Sequence, residues 1–197
     1  TILGVSLFSF SVLFSATTFA HTTPDYAKLI EQAHQKYKSN NDGKVADYIP
    51  ALATYSPKNF AITIATVDGK IYQVGDVNKP FPMESLSKVF TMALAMEQHG
   101  PQVVLDKLGA NATGLPFNSG LAVELTQGAP ENPLVNAGAM STVSLIAAKD
   151  KTERWNNILN NLNAWADSSL RVNEPVFQSE METNQHNQAL AMLMKSY

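Results

Sequence analysis

The sequence predicts an α+β domain, mostly helical, arranged around one β-hairpin. Three observations lead there. Residues 60–76, FAITIATVDGKIYQVGD, hold two β-rich runs on either side of Asp68-Gly69, a dipeptide favoured in hairpin turns. The segments before and after it carry apolar residues at helical spacing. No further strand is legible, and a lone hairpin does not make a stable sheet. The sheet is therefore expected to be incomplete, with its remaining strands beyond Tyr197, where the sequence stops in a helical pattern.

Residues 2–14, ILGVSLFSFSVLF, form an apolar run too short to span a bilayer. Small residues follow, and TFA ends at Ala20 with Thr18 and Ala20 at the small-residue positions of a cleavage site. A secretory signal peptide is expected over residues 1–20, its basic n-region missing, and with it a bacterial periplasmic or secreted protein. One domain, truncated at its C-terminus, is expected over residues 21–197.

Residues 22–40 read as an amphipathic helix. Thr23 can cap it, Pro24 suits its first turn, and Tyr26, Leu29, Ile30, Ala33 and Tyr37 share a stripe. NNDGK breaks the chain, and VADYIPALA reads as extended or loop, stopped by Pro50. Residues 85–98 are helical and apolar on nearly every face, a pattern that belongs in the middle of a fold. Short helices are expected at 101–108 and 120–126, separated by loops rich in Gly, Asn and Pro. Residues 136–149 read as a second buried helix. The next helix places Trp155, Ile158, Leu159, Leu162 and Trp165 on one face, and residues 179–197 read as helix to the end.

Composition narrows the chemistry. The net charge is −3 with no basic stripe, so nucleic-acid binding has no electrostatic support. There is no cysteine, which removes disulfides, thiol nucleophiles and Cys-ligated zinc. His21, His34, His99 and His186 include no i, i+4 pair and no HExxH, so no histidine metal site is expected.

The segment FPMESLSK, residues 81–88, opens the most apolar helix with a lysine three residues after a serine. Neighbours at i and i+3 meet on a helix, so Ser85 and Lys88 are expected to touch across one turn. A serine hydroxyl needs a base to take its proton. Lysine serves when desolvation lowers its pKa, and Met92, Ala95 and Met96 continue the same face as an apolar surround. The free N–H groups of a helix start, Ser85's included, can bind a developing oxyanion. Ser-x-x-Lys recurs by chance, and its bland reading is a lysine snorkelling from a helix end.

Five segments in order carry more: GKVADYIPALA, FPMESLSKV, GLPFNS, NPLVNAGAM and SEMETNQHNQALAMLMKS. Together they resemble the bacterial glutaminase family, serine-dependent enzymes of β-lactamase/transpeptidase-like fold, over residues 43–197. The resemblance implies hydrolysis of the side-chain amide of L-glutamine through a seryl acyl-enzyme. It implies Ser85 as nucleophile, Lys88 as base, and Asn136, Glu180 and Asn187 as substrate-binding residues. It implies no metal or organic cofactor, a small-molecule substrate, no nucleic acid or membrane partner after signal cleavage, and a homo-oligomer (dimer or tetramer) when complete. On a continuous helix the seven-residue spacing would put Glu180 and Asn187 on one face. A carboxylate there can pair with the α-ammonium of glutamine. The family's later tyrosines and Lys-Ser-Gly motif are expected downstream of residue 197.

Two other readings compete. A penicillin-recognising serine hydrolase shares Ser-x-x-Lys and the fold, but should show Ser-x-Asn or Tyr-x-Asn after it; neither occurs downstream of Lys88. An inert truncated product is the other.

Overall fold

The structure, a computed structural model, describes residues 24–197. The expected signal peptide and the Thr23 cap lie outside the described residues. The chain divides into two compact units, one of residues 24–40 with Phe60–Val77, the other of Asn41–Asn59 with Asn78–Tyr197.

In the first unit, helix α1 (Tyr26–Tyr37) starts at Asp25, whose carboxylate accepts from the Lys28 N–H. That satisfies one of the unpaired donors of a helix start. The expected hairpin is present. Strands β1 (Ala61–Ala65) and β2 (Ile71–Gly75) pair antiparallel, with Ile62 opposite Val74 and Ile64 opposite Tyr72. These four half-buried side chains share one face, as strand alternation requires. The turn is a three-residue loop. The Thr66 N–H donates to Lys70 O (2.9 Å), the Gly69 N–H to Thr66 O (2.9 Å), and Gly69 takes φ 81°. Helix α1 adds Tyr26 against Tyr72 (ring centroids 5.5 Å) and His34 stacked on Phe60 (4.9 Å).

The second unit is helical, with α2 (Ser87–His99), α3 (Pro101–Leu108), α4 (Gly120–Leu125), α5 (Asn136–Leu145), α6 (Lys151–Ala166), α7 (Glu174–Thr183) and α8 (Gln185–Ser196). Leu94 and Ala95 of α2 pack with Val104, Leu108, Ile146, Ile158 and Leu162 as the main core. A second cluster joins Val123, Ala137 and Leu190. A third joins Ile49, Leu52 and Val176; VADYIPALA is loop as far as Ala51, as expected, and its last two residues enter a 3₁₀ turn at Leu52–Thr54.

Several boundaries differ from the sequence pattern for visible reasons. Residues 85 and 86 lie in a 3₁₀ turn (Glu84–Leu86), and α2 begins at Ser87. Helix α2 buries only Thr91, Leu94 and Ala95, while Val89 stays about half exposed. Helix α5 stops at Leu145 and not at 149, because tertiary donors satisfy its end: His99 Nε2 to Leu145 O (2.7 Å), Arg154 Nε to Ile146 O (3.2 Å) and Asn157 Nδ2 to Ala147 O (3.0 Å). On α6, Ile158 and Leu162 are buried while Trp155 and Trp165 at the ends of the stripe are exposed. The last segment is two helices, broken at Asn184, which ends α7 and opens α8.

Candidate active site

The break at Asn184 overturns one expectation. Glu180 lies on α7 and Asn187 on α8, so the seven-residue spacing does not put them on a common helical face. Asn187 enters the site by another route. Lys88 Nζ donates to Asn136 Oδ1 (2.7 Å), and Asn136 Nδ2 donates to Asn187 Oδ1 (2.9 Å). With Lys88 donating, Asn136 turns its oxygen toward Lys88 and its NH₂ toward Asn187. That in turn directs the Asn187 NH₂ away from Asn136. The chain Lys88–Asn136–Asn187 thus links the first turns of α2, α5 and α8.

Lys88 has a second acceptor, the Leu134 carbonyl at 3.0 Å. It is half-buried, and burial pushes its pKa below the ordinary lysine value. The Phe117 ring lies 5.8 Å from Nζ and closes another side. A neutral amine has two N–H donors and one lone pair. Two oxygen acceptors therefore saturate the donors of neutral Lys88 and leave the lone pair open, the configuration a base needs.

Ser85 is exposed in the 3₁₀ turn. No hydrogen bond joins it to Lys88 among the described residues, so the contact expected across one turn is not made. Nor does Ser85 sit in the first turn of α2, as the oxyanion argument from the helix start assumed. The cause is local. Glu84 takes φ 48°, uncommon for a non-glycine residue, and turns the chain just before Ser85. Ser87 Oγ donates to Glu84 O (2.7 Å) and holds the turn. Catalytic contacts are often long in unliganded sites, so the serine and lysine remain candidates on one short segment.

Glu180 is half-buried and close enough to Glu84 to affect it. Burial, and then the Glu180 charge, raise the Glu84 carboxyl above its usual range. Two carboxylates facing one region favour a cation between them.

Sequence reasoning missed Glu84, the Leu134 carbonyl and the Phe117 ring. Glu84 was legible as a neighbour of Ser85, but nothing in the pattern joined it to Glu180, 96 positions away by subtraction of the two residue numbers. A backbone carbonyl has no residue-type signature at all. The GLPFNS loop is tied at both ends of the site: Phe117 O accepts from the Asn136 N–H (2.8 Å), and Asn118 O accepts from His186 Nε2 (2.6 Å).

The family model described as Glutaminase matches residues 43–197. A glutaminase of Colwellia psychrerythraea (strain 34H) is 48% identical over 174 residues, covering 88% of this chain and 56% of that protein. Glutaminase 1 of Escherichia coli (strain K12) is 48% identical over 167 residues, covering 85% of this chain and 54% of that protein. A solved structure of a probable glutaminase, ybaS, superposes with TM-score 0.84 at 47% identity, covering 86% of this chain and 55% of that one. The chain spans about half the length of the curated relatives it matches.

Proposed function

Because this chain belongs to the glutaminase family, we propose that the protein carrying it hydrolyses the side-chain amide of L-glutamine to L-glutamate and ammonia. The observation that carries the reading is the setting of Lys88, half-buried, depressed in pKa and held by two oxygen acceptors. In this mechanism neutral Lys88 takes the Ser85 proton as Oγ attacks the amide carbon. The resulting ammonium returns that proton to the leaving nitrogen, and ammonia departs from a glutamyl ester on Ser85. Water then attacks the ester, its proton passing through Lys88 to Ser85, and glutamate leaves. Glu180 pairs with the substrate's α-ammonium, with Glu84 adding negative charge nearby, and Asn136 and Asn187 hydrogen-bond its polar groups. No step calls for a metal or an organic cofactor.

The protein is tested at the full length of its relatives. L-glutamine should release ammonia, and nitrocefin should stay intact. Ser85→Ala should cost several orders of magnitude in turnover, and Lys88→Arg nearly as much, since arginine stays protonated. Nitrocefin hydrolysis without ammonia from glutamine would instead mark a penicillin-recognising hydrolase.

We also propose export to a bacterial periplasm, supported by the apolar run and the small-residue site ending at Ala20. N-terminal sequencing of the mature protein should begin at His21. The homo-oligomer implied by the family resemblance is checked by light scattering.

A further inference from the structure

Asn132 belongs to neither the proposed nucleophile nor the proposed substrate contacts, yet its side chain makes three hydrogen bonds. Its Oδ1 accepts from the Leu134 N–H (2.9 Å) and the Val135 N–H (3.1 Å), and its Nδ2 donates to Asn111 O (2.9 Å). The backbone around it is pinned as well. The Asn111 N–H donates to Glu131 O (2.8 Å), and a Cβ added at Gly109 would lie 2.5 Å from that same oxygen. On the other side, a Cβ added at Gly138 in α5 would lie 1.7 Å from Asn132 O. The turn is thus clamped between residues 109–111 and the first turns of α5. It also carries strain, since Glu131 takes φ 67°, a conformation that persists only where the surroundings over-determine it.

What the clamp aims is one atom. Leu134, whose N–H is held by Asn132, presents the carbonyl that accepts from Lys88 Nζ at 3.0 Å. Val135, whose N–H is held by the same oxygen, immediately precedes Asn136, the other acceptor of Lys88. We propose that Asn132 is a positioning residue for Lys88, an inference that rests on reading Lys88 as the base. By locking the 131–135 turn it presents both acceptors together, so that a neutral Lys88 spends its two N–H groups on them and keeps its lone pair for Ser85. Without the lock the turn relaxes, water reaches Nζ, and the desolvation that lowers the lysine's pKa is relieved. Water replaces the lost acceptor, so the ammonium form gains solvation at no loss of partners.

The test uses the protein at the full length of its relatives and reads Lys88 without requiring turnover. Acetylation of Lys88 by acetic anhydride is followed against pH by mass spectrometry, beside kcat and KM for glutamine and a thermal melt. In the parent, Lys88 should become reactive at lower pH than the other lysines. In Asn132→Ala its titration should move up toward theirs, with kcat down about 10- to 100-fold, the scale of an approximately 1 Å misplacement, and KM changed less than about threefold on the same argument. Asn132→Asp, which keeps both accepted bonds but loses the donation to Asn111 O, should recover part of the kcat. A folded Asn132→Ala with parental Lys88 titration and parental kcat overturns the proposal. If that variant does not fold, Asn132→Ser takes its place, and parental titration with parental kcat in Asn132→Ser overturns the proposal equally. A parent that releases no ammonia would count against the glutamine reading alone, because the labelling reports the positioning by itself.

Discussion

The setting of Lys88 makes its protonation the quantity that governs activity. Burial holds its folded pKa below the ordinary lysine value of 10.5. Between the folded and unfolded values the unfolded chain binds more protons, so Lys88 makes stability rise as pH rises through that window. For catalysis, kcat/KM should climb along an acid limb that lies below the ordinary lysine range. A pH–rate profile checks it, and a limb at the ordinary lysine value would place the base elsewhere. Glu84 carries the opposite sign. Its folded pKa is raised by burial and by Glu180, so its contribution falls as pH rises through the window above 4.5. Glu84→Gln should therefore raise the melting temperature at pH 7 and change it little at pH 4, as paired thermal melts would show.

At the scale of elements, Gly75 marks a place where backbone meets backbone. Gly75 ends β2 at φ 84°, and a Cβ there would sit 2.2 Å from Phe60 O. Phe60 cannot yield easily, because its carbonyl accepts from the Asp76 N–H (3.0 Å) and its N–H donates to Asp76 Oδ2 (3.1 Å). Gly75→Ala should cost at least about 2 kcal/mol, from left-handed strain and steric clash together. Gly43 has open space around it, and Gly43→Ala should fall within about 0.5 kcal/mol of the parent. Denaturant melts of the pair distinguish a local backbone requirement from a general intolerance of substitution. Loss of the α1 cap in Asp25→Ala should cost about 1 kcal/mol by the same measurement.

For the whole chain, exposed apolar side chains set the expectation. Leu125 is 71% exposed, Met192 67% and Trp165 62%, values that leave large apolar side chains in water. The sheet within the described residues has two strands, so both outer edges are unpaired. Residues 21–197 expressed alone are therefore expected to aggregate or to melt without a cooperative transition, and to release no ammonia from glutamine. A sharp melt with turnover would overturn this. Much of the architecture and part of the site were legible beforehand. The hairpin followed from β-rich runs around Asp68-Gly69, α3 and α4 from the Gly-, Asn- and Pro-rich loops around them, and α6 from its apolar stripe, because those signals act within a few residues. Ser85 and Lys88 stood out by residue type and spacing, whereas Asn136, Glu180 and Asn187 were candidates only through the resemblance of five segments to the glutaminase family. The helix ends at Leu145 and Asn184, the exposure of Trp155 and Trp165, the separation of Glu180 from Asn187 onto two helices, and the pairing of Lys88 with the Leu134 carbonyl were not legible. Each depends on a partner brought near only by folding. Local sequence determined which side chains were available and which segments turn or coil; packing decided which oxygen each donor found, and so whether the lone pair of Lys88 stays open.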